Sequence, residues 1–510
     1  MTGTSPERIV VVGYGPVAAR FIDALRPLAI SGTVDVTVVG EERVPAYNRV
    51  LLADLGTGRV PLTSMALSDP EELAGDGIRV LLDTAVRRVD RSSRRVLLDG
   101  GTWLPYDRLV FATGARATVP NLTGLNPSPI DPVLPVGVTT LRDLGDAERL
   151  QAAVTDRRHV VVLGGGVLGL EAALAAAEEG CPVTVVHHGE RPMGRQLDTG
   201  SGATLMAALR SQGLTLIPNA RAVAVSSENG VFQALELSDG TLVEGELLVL
   251  ACGARPRKEL AEGAGLAVGA GILVDHSLRA LHTEHVFAIG DCAEIRCPDP
   301  GCRPCSETTG PSGLIAPGWR QADWLAASFA ARLTGAAPPA ALPEEKPGII
   351  LLKATGVNLA AAGDLRGDPW TTSPEEDEVS LWADTARGRY VKMCTQEGVL
   401  TGFVALGMPR VAAELTLLFG SGGTLPDDRS TLLRLDGPEA APGTGGSAAG
   451  PESVLCRCAG VTQGSVEEAI TEGCSSVEDV SRFTKAGTGC GGCKDGIRGL
   501  IETHFSRTAA

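Results

Sequence analysis

Two stretches of the chain show the same order of apolar and polar positions. Residues 8–41 consist of an apolar run, a glycine turn, a helical pattern and a second apolar run, and residues 158–188 repeat this order. Two short apolar runs separated by a helical pattern predict a βαβ unit with parallel strands. In the second unit we expect strands near 159–163 and 183–186 and a helix that ends at Gly180. The pattern predicts an α/β protein with two Rossmann-like units.

The turn of the first unit has the sequence G-x-G-x-x-A. Glycines here allow a pyrophosphate to approach the backbone, and the helix N-terminus stabilises its negative charge. An acidic residue after the second strand is the type that binds an adenosine ribose. A dinucleotide site is therefore predicted, with an ordinary tight turn as the alternative. Its residues are Gly13, Gly15, Pro16, Ala18 and Glu41.

The second unit has a G-x-G-x-x-G turn formed by Gly164, Gly166 and Gly169. Two such turns imply two dinucleotides, and a flavin with a nicotinamide is the usual pairing. Where a carboxylate would bind the 2′-hydroxyl of NAD, the chain has His187. Arg191 is close enough in sequence to suggest a partner for a 2′-phosphate. His187 is assigned as a ribose contact, with a surface position as the alternative.

Two further turns follow predicted strands, an A-T-G turn and a G-D turn. With the two glycine turns, this order of motifs resembles the FAD and NAD(P)H-dependent pyridine nucleotide oxidoreductases over roughly residues 8–335. The resemblance implies that Thr113 and Gly114 contact FAD and that Asp291 binds its ribityl chain; a simple cap is the alternative for Asp291. It also places Glu171 near the nicotinamide, unless Glu171 is only a first-turn acid favoured by the helix dipole.

The first 180 residues contain no cysteine, so the redox-active cysteine pair that disulfide reductases carry near the flavin is missing. Electrons from hydride must leave the flavin by another carrier. The segments "PAYNRVLLADLGTG", which contains Arg49, and "GERPMGRQLD" resemble the assimilatory nitrate and nitrite reductase flavoproteins. This resemblance implies a flavin contact for Arg49 and NADH as the donor, with NADPH as the alternative.

Paired cysteines near the C-terminus are spaced as C-x-C and, 31 residues later, C-x-x-C. Four thiolates suit a [2Fe-2S] cluster or zinc, and a thiol-disulfide pair is the third alternative. Ser465 and Ser476 are expected to cap the intervening helices, and Cys474 is expected in the core. The arrangement resembles the bacterioferritin-associated ferredoxin module, which binds [2Fe-2S]. The four expected ligands are Cys456, Cys458, Cys490 and Cys493.

A second group of four cysteines lies beside the G-D turn. The last three have the C-x4-C-x2-C spacing of plant-type ferredoxins, and the first, or a more distant cysteine, is the candidate fourth ligand. Proline and glycine between them also suit a zinc knuckle. We predict a second iron-sulfur cluster, with zinc or no metal as alternatives. The candidate ligands are Cys292, Cys297, Cys302 and Cys305.

The predicted organisation is two Rossmann-like domains, a small α+β domain and a small helical [2Fe-2S] domain after a linker rich in Gly, Ala, Pro and Ser. By resemblance, the α+β domain contributes to a homodimer; it is expected to be an antiparallel sheet with one helix near 408–420. The domains are 1–135 with 256–340 (FAD), 136–255 (NAD(P)H), 341–435 (α+β), 436–453 (linker) and 454–510 ([2Fe-2S]).

Charge and hydropathy exclude several classes of partner. With 45 basic and 61 acidic side chains the net charge is −16, which repels nucleic acid and anionic membranes. No apolar stretch has the length of a membrane span, and the polar start followed by a strand-like run does not resemble an export signal. We expect a cytoplasmic protein without nucleic-acid or membrane partners.

The function implied by the resemblance is that of an electron-transfer flavoprotein of assimilatory nitrate reductase. Electrons would pass from NADH through FAD and iron-sulfur to a separate molybdenum-dependent catalytic subunit, with no catalytic acid, base or nucleophile. The alternatives are a nitrite reductase-like flavoprotein, disfavoured because only 17 residues follow Cys493, a ferredoxin or rubredoxin reductase, an amine dehydrogenase, and a redox-sensing regulator.

Overall fold

The computed structural model describes residues 5–125, 128, 132–297, 299, 302, 310–342, 348–354, 356–370, 378–436, 451, 453–456, 461–484, 486–487 and 493–508. Its elements up to residue 256 are strands β1 (Glu7–Val12), β2 (Val34–Val39), β3 (Ile78–Leu81), β4 (Val86–Asp90), β5 (Arg95–Leu98), β6 (Trp103–Pro105), β7 (Arg108–Phe111), β8 (Ala115–Ala117), β9 (Val138–Thr139), β10 (Val160–Leu163), β11 (Val183–Val186), β12 (Thr215–Ile217), β13 (Ala222–Glu228), β14 (Val231–Leu237), β15 (Leu242–Glu244), β16 (Leu247–Leu250) and β17 (Ala254–Pro256), and helices α1 (Pro16–Ile30), α2 (Leu52–Gly56), α3 (Pro70–Gly75), α4 (Leu144–Thr155), α5 (Val167–Glu178) and α6 (Thr199–Ser211).

The remaining described elements begin at residue 259. They are strands β18 (Ile272–Val274), β19 (Val286–Ala288), β20 (Ala293–Ile295), β21 (Ile350–Ala354), β22 (Val357–Gly363), β23 (Glu378–Asp384), β24 (Arg389–Gln396), β25 (Val399–Leu406), β26 (Val454–Cys456) and β27 (Val461–Thr462), and helices α7 (Glu259–Gly263), α8 (Ile315–Thr334), α9 (Pro409–Ser421), α10 (Ser430–Leu433), α11 (Gln463–Thr471), α12 (Val477–Thr484) and α13 (Lys494–Thr508).

Two parallel sheets form the centre of the fold. One has the strand order β19-β7-β1-β2-β3 and the other the order β12-β11-β10-β16-β9. The central strand β10 consists of valine and leucine only, and the last four residues of the central strand β1 are isoleucine and valine, as expected for strands covered on both faces. The second unit matches its predicted pattern, although α5 ends two residues before Gly180. The predicted α/β class with two Rossmann-like units is confirmed.

A third sheet, β21-β22-β25-β24-β23, is antiparallel and packs against α9. The rings of Phe403 and Phe419 stand edge to face with centroids 5.8 Å apart, joining strand to helix. The helix expected near 408–420 is present at Pro409–Ser421. No helix in the described part of the chain is both long and apolar enough to cross a bilayer.

The C-terminal module is small and largely helical. The hairpin of β26 and β27 packs with α11, α12 and α13 around a core that includes Val466, Val480 and Ile497. The predicted cap of its first helix is wrong, because Thr462 rather than Ser465 accepts the capping bond. Side-chain capping by Ser476 is present: its Oγ accepts a hydrogen bond from the Asp479 amide at 3.1 Å.

A buried polar cluster joins the third sheet to the second parallel sheet's helix α6. Asp198 precedes α6 and caps it, accepting from the Ser201 amide at 2.9 Å. From β24, the Tyr390 hydroxyl donates to Asp198 at 2.7 Å and the buried Lys392 ammonium lies 3.3 Å away. Burial opposes ionisation, but these bonds and the lysine charge hold the pKa of Asp198 below its usual range.

This cluster predicts a pH-dependent contribution to stability. A carboxylate with a depressed pKa stabilises the fold above its unfolded pKa of about 3.9, and this contribution is lost as the pH falls through the folded value. Asp198→Asn should lower the thermal midpoint at neutral pH, by the equivalent of about 2 kcal/mol, and the difference should shrink below about pH 4. Calorimetry measures the thermal midpoint at each pH. The exposed Asp427→Asn is the matched control; equal midpoints at neutral pH would refute the prediction.

Candidate nucleotide and iron-sulfur sites

Three neighbouring strands of the first parallel sheet end at one edge. Val12 at the end of β1 is in register with Phe111 of β7, which is in register with Ala288 of β19. The loops that follow contain the first glycine turn, the A-T-G turn and the G-D turn. The first glycine turn lies close to the A-T-G turn: a Cβ on Gly13, whose φ is +103°, would lie 2.4 Å from the Ala112 carbonyl oxygen. The sheet therefore brings three separately predicted motifs together.

The start of α1 fits a pyrophosphate. Gly15 is the N-cap residue and makes no side-chain capping bond, and Pro16 occupies the first helical position. Among the residues that the structure describes, a Cβ on Gly15 would meet only Arg49 Nε, at 3.9 Å. Ala18 is fully buried, which lets the helix pack closely. The space beside Gly15 and the positive end of the helix suit the phosphates of FAD.

Charged side chains surround this turn. Glu41, the predicted ribose acid, pairs with Arg257 at 2.6 Å, whereas its neighbour Glu42 accepts hydrogen bonds from Tyr47 at 2.8 Å and from Arg49. Both carboxylates follow β2, so Glu42 is a second acid at the site. The ribose contact of Glu41 and the flavin contact of Arg49 stay predictions.

The G-D turn has a partner that the sequence does not reveal. Asp291 lies in a short 3-10 turn, and its carboxylate accepts a hydrogen bond from Arg142 Nη2 at 2.7 Å. Arg142 also donates to the Ala115 carbonyl at 3.1 Å, and the neighbouring Thr113 hydroxyl donates to the Arg257 carbonyl at 2.9 Å. Arg142 thus links the A-T-G and G-D turns across the expected FAD site. Gly114 adopts φ +65° between them.

The second parallel sheet repeats this geometry. Leu163 of β10 is in register with Val186 of β11 and with Leu250 of β16, so the glycine turn meets the ends of both neighbours. A Cβ on Gly164 would lie 2.3 Å from the Ala251 carbonyl oxygen and one on Gly169 2.4 Å from the Gly164 carbonyl oxygen, whereas Gly166 faces open space. Gly166 is the N-cap of α5 and has no side-chain capping bond. This edge fits a second dinucleotide.

His187 follows β11 and lies under the glycine turn. Its Nε2 is 2.7 Å from the Arg191 carbonyl oxygen, so the proton sits on Nε2 and Nδ1 is an acceptor. Nδ1 is buried and has no hydrogen-bond partner within the described part of the chain. Burial holds the pKa of His187 below its usual range, which keeps the ring uncharged near neutrality. Arg191 is engaged with Glu190 at 2.9 Å.

Glu171 occupies the second turn of α5, because the helix begins at Val167 and has no acidic residue in its first turn. The alternative of a first-turn acid that favours the helix dipole is therefore wrong. Its predicted position near the nicotinamide stays a prediction.

The cysteines of the C-terminal module are only partly described. Cys456 and Cys493 are both buried in one small core, consistent with thiolates gathered by the fold of the module. Cys458 and Cys490 lie outside the described residues. Cys474 packs against the same core, as expected.

Cys292 does not belong to the second cysteine group. It is fully buried, and its Sγ faces the carbonyl oxygens of Ile289 at 3.3 Å and Phe111 at 3.5 Å. Burial raises the pKa of its thiol, which disfavours the thiolate that a metal requires. The prediction of Cys292 as a ligand is wrong because its side chain points into the core. Cys297 and Cys302 are described, and Cys305 lies outside the described residues.

Residues 7–312 match the family described as pyridine nucleotide-disulphide oxidoreductase. The chain belongs to this family. Residues 454–503 match the BFD-like [2Fe-2S] binding domain. The expected cofactors, FAD with NAD(P)H and a [2Fe-2S] cluster, agree with these two matches and with the two glycine-lined edges.

Relatives in the nitrate and nitrite branch align with nearly the whole chain. A nitrite reductase [NAD(P)H] of Bacillus subtilis is 30% identical over 97% of this chain. An assimilatory nitrate reductase electron transfer subunit of the same organism is 28% identical over 99% of it. The chain spans 57% and 61% of these two relatives' lengths.

Among solved structures of this oxidoreductase fold, a ferredoxin reductase from Rhodopseudomonas palustris superposes with a TM-score of 0.69 and 24% identity. It covers 85% of this chain and 98% of its own. A rhodocoxin reductase of Rhodococcus erythropolis is 33% identical over 57% of this chain, and the chain covers 66% of that relative. The solved structure therefore shares the fold of most of this chain.

Substitution of Gly15 and of Gly166, the glycine at the N-cap of each helix, tests the two dinucleotide sites separately. Gly15→Ala should weaken FAD binding about tenfold or more, or about 1.4 kcal/mol, because the methyl group would occupy the space expected for the pyrophosphate and displace no protein atom. Gly166→Ala should raise the KM for NADH and leave FAD bound. Flavin absorbance after gel filtration and steady-state kinetics measure both. Each variant is the other's control; FAD loss in both, or in neither, would contradict the assignment.

Proposed function

We propose that this protein is the electron-transfer component of an assimilatory nitrate reductase system in the cytoplasm. In this proposal electrons from NADH reach a separate molybdenum-dependent catalytic subunit. The observation that carries it is the alignment of almost the entire chain, from the first glycine turn to the last cysteine pair, with the Bacillus subtilis electron transfer subunit. The chain spans 61% of that relative's length. The identity of the electron acceptor is therefore part of the proposal.

The proposed roles follow from the two sheet edges. When bound, FAD exchanges electron pairs with NAD(P)H and single electrons with an iron-sulfur cluster. The α1 N-terminus holds its phosphates, Asp291 its ribityl chain, and Arg142 keeps Asp291 in position through their 2.7 Å bond. His187 and the α5 N-terminus hold the nicotinamide dinucleotide. No side chain is assigned as a general acid, base or nucleophile.

A second candidate function is nitrite reduction. The Bacillus subtilis nitrite reductase aligns with the chain about as well as the electron transfer subunit does. Electron transfer to a ferredoxin or a rubredoxin is the third candidate, because relatives named as reductases of these two carriers each align with 56% of the chain. The three candidates share the NADH and FAD sites and differ in the acceptor.

The acceptor is tested by reconstitution. The purified full-length protein, NADH and the molybdenum-containing catalytic subunit of the source organism should together reduce nitrate to nitrite. Cys456→Ser should abolish nitrite formation, because the cluster loses a thiolate, while stopped-flow reduction of the flavin by NADH is unchanged. Cys474→Ser is the matched control and should retain full activity. Direct consumption of nitrite by the wild-type protein alone would favour the second candidate, and full activity of Cys456→Ser would exclude the cluster from the route.

The second site predicts a preference for NADH. An uncharged His187 cannot attract a 2′-phosphate, and Arg191 is engaged with Glu190 at 2.9 Å and Thr199 at 3.3 Å. We expect kcat/KM to be about tenfold or more higher for NADH than for NADPH, a difference of about 1.4 kcal/mol, at neutral pH. Arg191→Ala should leave the value for NADH unchanged. A wild-type preference for NADPH that Arg191→Ala removes would reverse the assignment.

A further inference from the structure

A histidine and two cysteines meet beside the FAD-binding sheet. The donor atoms of His276, Cys297 and Cys302 all lie within 4.8 Å of one another, and His276 Nε2 stands 3.4 Å from Cys302 Sγ. We propose that these three side chains bind one zinc ion. The dinucleotide and [2Fe-2S] chemistry does not require this ion.

Strand pairing places two of the three donors. β18 and β20 are parallel, and Val274 is in register with Ile295. His276 and Cys297 each stand two residues beyond these partners, so they leave the small sheet at the same edge. The pairing continues past the strands, because the Arg296 amide donates to the Val274 carbonyl at 2.7 Å. The meeting of these donors is therefore a consequence of the sheet register.

A local turn adds the third donor. The Cys302 amide donates to the Asp299 carbonyl at 3.2 Å, which folds the chain back after Cys297. On the other side, Asp275 accepts hydrogen bonds from the amides of Ser277 at 2.8 Å and Arg279 at 3.1 Å, and these fix the turn that presents His276. The first turn is held by a backbone hydrogen bond and the second by the Asp275 carboxylate, and none of these three bonds uses a donor atom of the proposed site.

The spacing of the donors fits a single ion. Zinc binds sulfur at about 2.3 Å and imidazole nitrogen at about 2.0–2.1 Å, so tetrahedral sulfur and nitrogen ligands stand about 3.5 Å apart. The separation of 3.4 Å between His276 and Cys302 agrees with this. Ligands on different irons of a cluster stand farther apart, because sulfide bridges separate the irons. Two thiolates would also balance the charge of Zn²⁺, and the fourth position would be completed by a further donor or water.

The consequence is a structural anchor near the flavin. β20 begins immediately after the turn that contains Asp291, and its other end leads to Cys297. A zinc ion at His276 would fix this strand at its far end and limit movement of the segment that carries Asp291. The structure thus assigns His276, and not Cys292, as a ligand. With this ligand the predicted second iron-sulfur cluster becomes a zinc site.

The metal content of the untagged full-length protein tests the proposal. Wild-type protein grown with zinc should contain about one zinc per chain in addition to about two irons. His276→Ala and Cys302→Ser should lose the zinc and retain the iron and FAD. His282→Asn is the matched control: His282 is exposed six residues away, has a φ of +61° that asparagine tolerates, and should retain zinc. Mass spectrometry of the elements gives the zinc and iron contents, and flavin absorbance gives the FAD content.

Three results would overturn the proposal: wild-type protein without zinc, zinc that persists in His276→Ala, or additional iron that disappears in His276→Ala, which would restore a second cluster. Retained FAD shows that a variant has folded. If both variants lose FAD, wild-type protein freed of zinc and given Co²⁺ provides the second measurement. Thiolate-to-cobalt absorption would support the site, and its absence would refute it.

Discussion

The close approach of backbone at two parallel sheet edges determines most of this structure. At each edge a glycine with positive φ lies so near the carbonyl of the neighbouring strand's loop that a Cβ would stand less than 2.5 Å from it, at Gly13 and at Gly164. A helix begins three residues later without a side-chain cap. The same close packing that joins strand, turn and helix leaves the helix N-terminus open to a phosphate.

The two edges differ in their charged side chains. The first is surrounded by Arg49, Arg142 and Arg257, each paired with a carboxylate, so its charges are balanced before a cofactor binds. The second offers an uncharged histidine with a buried acceptor nitrogen. Similar backbone geometry therefore supports two sites of different chemistry, as a flavin and a nicotinamide require.

The cysteines are unevenly distributed along the chain. The first 180 residues contain no cysteine, so the thiols that would accept electrons beside the flavin are absent from this part. Five of the 12 cysteines lie in the C-terminal module, where Cys456 and Cys493 share one core.

The sequence alone determined the α/β class, both glycine turns, the order of motifs and the cysteine pairs, because these depend on residue type and short spacing. It could not show that Asp291 meets Arg142, 149 residues away, or that Glu41 pairs with Arg257, 216 residues away. Cysteine spacing suggested Cys292 as a ligand, but packing turned it into the core and strand register supplied His276. Such pairings join distant segments, so only the tertiary structure decides them.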